Sequence, residues 1–496
     1  MNENAGSLWL ACLRQHSKEG PMNFDGFVGG AYLARSPSQD AQRCVNLYLE
    51  ADESQRGKAP AMLLGTPGLT LFATLAAAGG VRALSAASGG RCFAVCGATL
   101  YELFAGGTSL ERGTLPTTSG VVSLADNGLQ LLLVDGTTYG AILTLATNVY
   151  AAIASPNFYG ADRVAYFDGY FVLNRPATQQ LYLSALLDGA TYAGLDFASA
   201  ESVPDLIVAH GVERREMLVL GTRSGEVWFN AGTTDFPLAP IQGTSFPYGC
   251  AATHSLRSMG QFYWLGQDID GHGIVLRLNG YQPERISTHA VEFALNGYAR
   301  LDDAIAYTYQ EEGHSFYALS FPTGNATWVY DAATKLWHER ADLDSASGLL
   351  VRHRVQHHAF AFARHLVAGE NDGRVYTQDL DVFSNAGDPL VRRRTAPHLH
   401  ADRRLLYHSV FELDVETGVG LDGGVSPGAD PQVMLRWSDD GGRTWSTEHW
   451  TDVGAIGRYL TRALWRRLGR SRQRTYEVTI TDPVRVALLA ARIEAS

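Results

Sequence analysis

The segment LLLVDGTTYGAIL, residues 131–143, places an apolar strand, a short Asp-Gly turn and a second apolar strand in immediate succession. This order predicts a β-hairpin, because a turn of Gly, Asp or Asn between two apolar runs is a strong local hairpin signal. The pattern returns six more times, in segments that begin at Cys92, Tyr170, Met217, Phe262, Phe316 and His365. The spacing of about 40 to 55 residues between repeats is that of one four-stranded propeller blade.

A shorter strand precedes the hairpins, as in VRALSAAS at 81–88 and DRVAYFDG at 162–169. Seven such units fit between Val81 and Phe383, and we expect a seven-bladed β-propeller. Six blades are the alternative, because the fifth and sixth units are irregularly spaced. The seventh unit lacks an outer strand, and PGLTLFATL at 67–75 is predicted to supply it and so close the ring. A β-sandwich repeat is the structural rival.

The pattern changes after residue 383. Five longer segments of alternating polarity predict a C-terminal β-sandwich domain, and they begin at Leu405, Pro431, Arg443, Tyr459 and Arg474. The expected fold is therefore all-β. We divide the chain into a disordered extension at 1–21, with Met22 as a second candidate start, an N-terminal arm at 22–66, a propeller at 67–383 and a sandwich at 384–496.

Composition narrows the class of protein. The 496 residues are 46% hydrophobic and 18% charged, as in soluble globular proteins, and no apolar run reaches the roughly 18 residues of a membrane span. The five cysteines argue against a disulfide framework and for synthesis in a reducing compartment. Cys92 and Cys96 share one face of a predicted strand, which favours buried thiols over a metal pair. The net charge of −11 argues against a free-standing nucleic-acid binder.

The segment RWSDDGGRTWS, residues 436–446, contains the Asp-box pattern of sialidases and other propeller enzymes. It raises the alternative of a propeller glycoside hydrolase or a carbohydrate-binding protein. Its residues are Ser438, Asp440, Gly442, Thr444 and Trp445. We interpret them as a structural turn, in which glycine supplies a positive φ and Ser438 and Asp440 bond the backbone amides. Thr444 and Trp445 are predicted to begin the returning strand, with Trp445 packed inward.

The Asp-box occurs once and outside the propeller repeats, whereas several blades of a sialidase usually carry one. No convergent set of Arg, Glu and Tyr can be recognised on one propeller face. We therefore expect no enzymatic activity, no catalytic residue, no metal and no cofactor.

Histidines cluster in VRHRVQHH, which supplies His353, His357 and His358, and in PHLH, which supplies His398 and His400. Imidazole groups that lie close together can bind a metal. Because side chains alternate along a strand, we prefer the interpretation that these histidines face solvent.

Arginines concentrate in the C-terminal domain. Two interpretations stay open, a solvated face with cross-strand ion pairs and a docking surface for an acidic protein or a DNA backbone. Few aromatic residues lie among them, so sequence-specific recognition of nucleic acid is not indicated. The candidate docking residues are Arg392, Arg393, Arg394, Arg403, Arg404, Arg462, Arg466, Arg467 and Arg470.

Both ends of the chain resemble one protein family. GGAYLARSPSQDAQRCVNLYLE at 29–50, followed by LLGTPGLTLF at 63–72, is similar to the N-terminal signature of the packaged-DNA stabilization proteins of short-tailed bacteriophages. These are also called tail hub or tail accessory proteins. The Asp-box-like turn, a Gly-x-Tyr segment and ALWRRLGRSR resemble the C-terminal end of that family. The resemblance extends from about residue 22 to residue 496.

The resemblance implies a structural protein of the phage virion tail without enzymatic activity, synthesised in the cytoplasm of the host bacterium. It implies a homo-oligomeric ring, six-fold as usually described, below the portal and adaptor ring. Other implied partners are the tail needle or plug, the tailspike, and DNA in the channel, which is contacted without sequence specificity. Such a ring helps to retain the packaged DNA and anchors the needle and tailspikes.

Overall fold

The computed structural model describes residues 21–199, 205–233, 236–268, 270–421 and 427–496. Apart from Pro21, the extension expected at 1–21 lies outside the described residues. The chain divides into two compact units, one containing the described residues of 69–333 and 351–379 and the other those up to residue 68, of 334–350 and of 380–496. Among the described residues, no helix has both the length and the apolar character needed to cross a membrane.

The strands are numbered along the chain. The N-terminal strands are β1 (Met22–Asn23), β2 (Tyr32–Leu33), β3 (Ala41–Gln42), β4 (Cys44–Val45), β5 (Leu47–Ala51), β6 (Ala61–Gly65) and β7 (Gly68–Thr74). Three four-stranded antiparallel sheets, blades 1 to 3, follow as β8 (Val81–Ala87), β9 (Arg91–Cys96), β10 (Thr99–Leu103), β11 (Ser109–Thr114), β12 (Ser123–Asp126), β13 (Gln130–Val134), β14 (Gly140–Thr144), β15 (Val149–Ala152), β16 (Val164–Phe167), β17 (Tyr170–Asn174), β18 (Gln180–Leu183) and β19 (Phe197–Ser199).

Blades 4 and 5 contain β20 (Ile207–Glu213), β21 (Glu216–Gly221), β22 (Gly225–Asn230), β23 (Leu238–Pro240), β24 (Gly249–Cys250), β25 (Arg257–Ser258), β26 (Phe262–Gln267), β27 (Gly273–Asn279) and β28 (Gln282–Arg285). Helix α1 (His289–Leu295) follows. Blade 6 contains β29 (Ile305–Glu311), β30 (His314–Phe321) and β31 (Ala326–Asp331). After β32 (Leu336–Glu339), β33 (Ala341–Asp344) and β34 (Leu349–Arg352), blade 7 contains β35 (His357–Ala361), β36 (Arg364–Ala368) and β37 (Arg374–Asp379).

The seven blades form a closed ring. Their innermost strands contact one another in the order β8, β12, β16, β20, β25, β29 and β35, and β35 contacts β8 again. In blade 7, β7 is hydrogen-bonded beside β37, so a segment that precedes the first blade completes the last one. The segment 67–75 was predicted to lie there. The alternative of six blades is wrong.

Alternation along the second strand of each blade holds neighbouring blades together. In β13, Leu131 and Leu133 pack in one cluster with blade 1, whereas Leu132 and Val134 pack in another with blade 3. All four side chains are fully buried. A propeller strand is covered on both faces, which explains why the segment reads as a continuous apolar run instead of an apolar–polar alternation.

The cysteines of blade 1 are buried thiols, as predicted. Cys92 and Cys96 point to the same side of β9 and pack in the cluster that joins blade 1 to blade 7. Burial raises the pKa of the Cys92 thiol to about 12. Both groups therefore act as small apolar side chains in the interface between these two blades.

The second unit contains the remaining strands: β38 (Ser384–Asn385), β39 (Asp388–Pro389), β40 (Arg392–Thr395), β41 (Leu399–His400), β42 (Leu406–Val415), β43 (Gln432–Ser438), β44 (His449–Asp452), β45 (Ala463–Arg466), β46 (Arg470–Ser471), β47 (Gln473–Ile480) and β48 (Ala487–Ala495). One sheet has the order β45-β42-β48-β6-β5, with β1 beside β48 and β46 beside β42. The strands β32-β4-β40-β47-β43-β44 form the other, with β41 beside β47.

Aromatic side chains from the two sheets meet in the core of this sandwich. The ring of Phe411 on β42 lies 4.8 Å from that of Tyr476 on β47 and 5.8 Å from that of Trp465. Phe27 from the predicted arm lies 6.4 Å from the ring of Phe411. The region 22–66 also supplies β4 to one sheet and β5 and β6 to the other. The N-terminal residues are thus part of the sandwich core.

The sequence missed one long strand of the sandwich. β48 lies between β42 and β6, which come from distant parts of the chain. Its sequence ALLAARIEA starts as a continuous apolar run and has no turn signal. Its neighbours on both sides fix its conformation through backbone hydrogen bonds, and this information is absent from the local pattern.

Candidate functional site

The Asp-box segment folds as a self-contained turn. Asp440 accepts hydrogen bonds from the hydroxyl of Thr444 at 2.6 Å and from its backbone amide at 2.9 Å. The hydroxyl of Ser438 donates to Asp440 and accepts from the amide of Gly442, both at 2.7 Å. Gly441 and Gly442 have φ values of +79° and +88°. The bonds from Thr444 and Ser438 hold the pKa of Asp440 well below its usual range.

The position of Trp445 differs from the prediction. The side chain is half-buried, and the guanidinium of Arg436 lies over its ring at 4.7 Å. The returning strand, β44, begins at His449, so the prediction that Thr444 and Trp445 begin it is wrong. The amide of Thr444 donates to Asp440, and it is therefore not free to bond a neighbouring strand.

Asp439, which occupies a variable position of the Asp-box, pairs with a buried arginine. Arg474 is 2% exposed and lies between the rings of Trp437 and Tyr476, at 4.9 and 5.7 Å. Its Nε and Nη2 atoms donate to the two carboxylate oxygens of Asp439 at 2.7 and 2.9 Å. Burial lowers the pKa of Arg474, but the bonds from Asp439 outweigh it and the pKa is raised.

Arg394 is a structural residue. Its side chain is fully buried and donates to the backbone oxygens of Phe27 at 2.6 Å, Gly30 at 2.9 Å and Gly26 at 2.9 Å. It also donates to the side-chain oxygen of Gln42 at 2.6 Å. One guanidinium thus fixes the path of residues 26–42. The prediction that Arg394 is a docking residue is wrong, because all three nitrogens of its guanidinium donate hydrogen bonds inside the sandwich.

Arg392 and Arg393 do not fit a docking surface either. Arg392 is 2% exposed and donates to the backbone oxygen of Asp482 at 2.9 Å, and burial lowers its pKa to about 10. The Nε atom of Arg393 lies 3.3 Å from the buried carboxylate of Glu477. The sequence could not separate these residues from exposed arginines, because strand alternation alone does not say which face is covered.

Six of the nine candidate arginines are exposed. One of them, Arg462, is paired with Glu412 through two bonds of 2.8 and 2.9 Å. In the described part of the chain, the guanidinium groups of the other five have no ion-pair partner, and the same holds for the neighbouring Arg472. We call these six residues the arginine surface: Arg403, Arg404, Arg466, Arg467, Arg470 and Arg472.

The loop at 466–472 carries four of the six residues of the arginine surface. Arg467 and Gly469 have φ values of +59° and +81°, and the buried side chain of Leu468 lies between them. The amide of Leu468 donates to the backbone oxygen of His408 at 2.9 Å. Because Leu468 points inward, its neighbour Arg467 is turned toward solvent. The loop joins β45 to β46, which both pair with β42.

The other two residues, Arg403 and Arg404, lie in the turn at 401–405. Arg472 donates from Nη1 to the backbone oxygen of Arg403 at 2.6 Å, and this bond joins the turn to the loop at 466–472. Tyr407 follows on β42 and is 53% exposed. The arginine surface therefore comprises two segments joined by this backbone contact, with the exposed ring of Tyr407 next to the turn.

The histidines are more buried than the sequence indicated. His353 and His357 are 0% and 5% exposed, and His358 is half-buried. The prediction that they face solvent is wrong for His353 and His357. His357 and His358 lie on β35, the innermost strand of blade 7, which neighbouring blades cover. His398 is half-buried and bonds the backbone oxygen of Pro37 at 2.7 Å. Only His400 of the second cluster is exposed.

The innermost strands of the propeller surround a cavity of about 360 Å³. Its lining includes the basic side chains of Arg163, His254, Arg257, His357 and His358. Among the described residues, no carboxylate lines it. No local sequence pattern indicates this group, because blades far apart in the chain contribute its members.

One group of potential metal ligands lies on the surface. Side-chain ligand atoms of Asp268, Asp270 and His272 lie within 4.8 Å of one another. Asp268 accepts from the backbone amides of Asp270 and His272 at 3.0 and 2.8 Å. These contacts are those of an exposed turn.

The fold defines an all-β protein in which a seven-bladed propeller is combined with a β-sandwich, and the sandwich carries six exposed arginines that have no ion-pair partner among the described residues. Residues 28–382 match the family model described as the β-propeller of bacteriophage P22 Gp10, and residues 391–496 match the model for the β-sandwich of the same protein. The chain belongs to the bacteriophage P22 Gp10 family, the packaged-DNA stabilization proteins, and is a phage structural protein. The resemblance seen at both ends of the sequence is confirmed.

Two solved structures resemble part of the chain. A chain of the mitotic checkpoint complex has 9% sequence identity and a TM-score of 0.40, with 60% of this chain and 89% of that chain covered. The WD40 β-propeller domain of Doa1 has 12% identity and a TM-score of 0.40, with coverages of 63% and 97%. A comparison with curated proteins finds no match.

Proposed function

We propose that this protein is a tail hub subunit of a short-tailed phage. It forms a homo-oligomeric, six-fold ring below the portal and adaptor, helps to retain the packaged DNA, and anchors the tail needle and tailspikes. It is synthesised in the host cytoplasm, acts in the virion tail and catalyses no reaction. Membership of the P22 Gp10 family supports this proposal, because that family consists of packaged-DNA stabilization proteins.

The arginine surface is the observation that carries the proposal. Six exposed guanidinium groups lie together without ion-pair partners among the described residues, in a chain whose net charge is −11. Such a patch repels itself and gains from an acidic partner surface. A neighbouring copy of this acidic chain, or the adaptor, provides one. Arginine also suits an interface because its planar fork binds carboxylates through two bonds.

The turn geometry argues against the sugar hydrolase. In the Asp-box, the carboxylate of Asp440 is occupied by Ser438 and Thr444, and Asp439 is occupied by Arg474. Neither group is free to act on a substrate. We therefore assign the box a structural role.

Replacing Arg466, Arg467 and Arg470 together with Glu tests the docking role. We expect the purified variant to keep the circular dichroism spectrum and unfolding midpoint of the wild type, because these side chains are exposed. We expect ring formation and incorporation into virions to be abolished, as seen by electron microscopy of tails. In the wild type, association should weaken with added salt, since the attraction is between charged surfaces.

The matched control has Glu in place of three exposed arginines of the propeller, Arg223, Arg364 and Arg374. This control has the same change in net charge and should assemble normally. Normal virions from the first variant, or equal loss of assembly in both, would refute the docking role.

A further inference from the structure

The propeller cavity holds two positive charges without a counter-charge. Arg163 and Arg257 both line it, and none of the described lining residues is acidic. Burial lowers the pKa of Arg257, and burial together with nearby Arg257 lowers that of Arg163 to about 9. At neutral pH both guanidinium groups still carry their charge. Both side chains are half-buried, and like charges held together in a partly desolvated cavity gain from an accompanying anion.

Arg163 is held rigidly in place. Its Nε, Nη1 and Nη2 atoms donate to the backbone oxygens of His210 at 3.1 Å, Thr253 at 2.7 Å and Leu256 at 3.4 Å. Carbonyl oxygens orient the group but do not neutralise its charge. The cavity therefore presents a fixed positive charge at one side.

Arg257 keeps most of its hydrogen-bonding capacity unused. Among the described contacts, its guanidinium makes one hydrogen bond, from Nη1 to the backbone oxygen of Leu256 at 3.0 Å. A guanidinium has five N–H donors. Arg257 lines the cavity, and its other N–H donors are not used by any described residue.

His357 provides an independent observation. It is 5% exposed, lines the same cavity, and its Nε2 atom has no hydrogen-bond partner among the residues that the structure describes. Burial lowers its pKa to about 3, so the ring is neutral at pH 7 and adds a polar atom without adding charge. An unpaired polar atom at this depth costs free energy that a bound ligand recovers.

We propose that the cavity is a binding site for a small tetrahedral oxyanion of the phosphate type, held by Arg257 and Arg163 with a hydrogen bond to His357. The charge of a phosphate dianion matches the two guanidinium groups, and the Arg fork fits two oxygens of such an anion. The cavity volume of about 360 Å³ exceeds that of one water several-fold, so a hydrated phosphate fits. The bound anion ties blades 3, 5 and 7 together around the axis of the ring.

The test uses the purified full-length chain in a phosphate-free buffer. Inorganic phosphate should raise the unfolding midpoint in a saturable way, and sodium chloride at the same ionic strength should not. Calorimetric titration should show one strong site in the wild type. Arg257→Gln should weaken that site by about tenfold or more, because it removes both a charge and a bidentate contact.

The same variant gives a second readout that a general loss of stability would not produce. Without phosphate, Arg257→Gln should be as stable as the wild type or more stable, since it removes an uncompensated charge. With saturating phosphate, the order should reverse. Arg223→Gln, an exposed propeller arginine, is the control and should keep wild-type phosphate binding.

A crystallographic measurement on the wild type covers the case in which Arg257→Gln fails to fold. Crystals soaked in selenate should show an anomalous peak in the cavity within hydrogen-bonding distance of Arg257. An empty cavity in such crystals would overturn the proposal. Equal stabilisation by phosphate and chloride, or unchanged phosphate binding in Arg257→Gln, would also do so.

Discussion

Arg474 and Asp439 form a two-point ion pair that joins the Asp-box turn to the arginine surface. The Nε and Nη2 atoms of Arg474 bond Asp439 at 2.7 and 2.9 Å, and its Nη1 atom donates to the backbone oxygen of Leu468 at 2.5 Å. Leu468 is the buried residue of the loop that exposes Arg467. A single buried guanidinium therefore contacts both the Asp-box turn and the loop at 466–472, which carries four of the six residues of the arginine surface.

Asp439→Asn should destabilise the sandwich by about 1–2 kcal/mol, because it leaves the buried Arg474 without its counter-charge. The loss stays modest because Asp439 itself is partly exposed to solvent. Chemical unfolding followed by tryptophan fluorescence measures this loss. Hydrogen exchange in the loop at 466–472 should also become faster. Asp430→Asn, which removes a carboxylate from an exposed position of the same domain, is the control and should change the free energy of unfolding by less than about 0.5 kcal/mol.

Arg394→Lys should destabilise the sandwich by about 2 kcal/mol or more, because an ammonium group cannot reach the carbonyl oxygens that the guanidinium fork serves. The loss should appear as faster hydrogen exchange and faster proteolysis across residues 26–42. Arg404→Lys changes an exposed arginine in the same way and should leave both measurements as in the wild type. Equal behaviour of the two variants would contradict the structural role of Arg394.

Leu75→Ala should weaken the closure of the propeller ring. Leu75 is 4% exposed, packs in the cluster between blades 7 and 1, and its amide donates to the backbone oxygen of Gly373 at 2.8 Å. Removal of this side chain should cost about 2–4 kcal/mol in the free energy of unfolding. Leu71→Ala, in β7 at a position that is 50% exposed, should cost less than about 1 kcal/mol. Similar losses in both variants would count against ring closure by this segment.

Asp440→Asn should lower the unfolding midpoint at pH 7, and the difference from the wild type should depend on pH. Since the folded-state pKa of Asp440 lies below its unfolded value of about 3.9, its contribution is fully present above about pH 4. It is lost as the pH falls further through the folded pKa. The gap between the melting curves of the two proteins should therefore narrow as the pH falls from about 4 to 2. A gap that stays constant over this range would exclude the carboxylate as its source.

Much of the propeller could be predicted because its signals are local. Each hairpin carries its own turn, as in the Asp135–Gly136 turn of blade 2, and its apolar strands follow directly. Repetition of this unit indicated a ring, and a missing outer strand in blade 7 indicated closure by residues 67–75. The turn of the Asp-box was predictable for the same reason, since Ser438, Asp440 and Gly442 bond one another within five residues.

The roles of individual arginines could not be predicted from their local sequence. Arg394 and Arg403 have similar sequence surroundings, yet the first bonds five partners inside the sandwich and the second is exposed. What separates them is whether distant residues cover the strand face, as residues 26–42 cover Arg394.

The sequence by itself determined the all-β class and the blade repeat, because turn chemistry and apolar alternation act between near neighbours. The relation to the phage family followed from the resemblance of the two ends of the chain to that family. Only the tertiary structure decided that the N-terminal strands complete the sandwich, that three arginines are internal supports, and that Arg163, Arg257 and His357 meet in one cavity. These residues come from blades 3, 5 and 7, and closure of the ring alone brings them together. Contacts of this kind depend on long-range packing, for which no short stretch of sequence carries a signal.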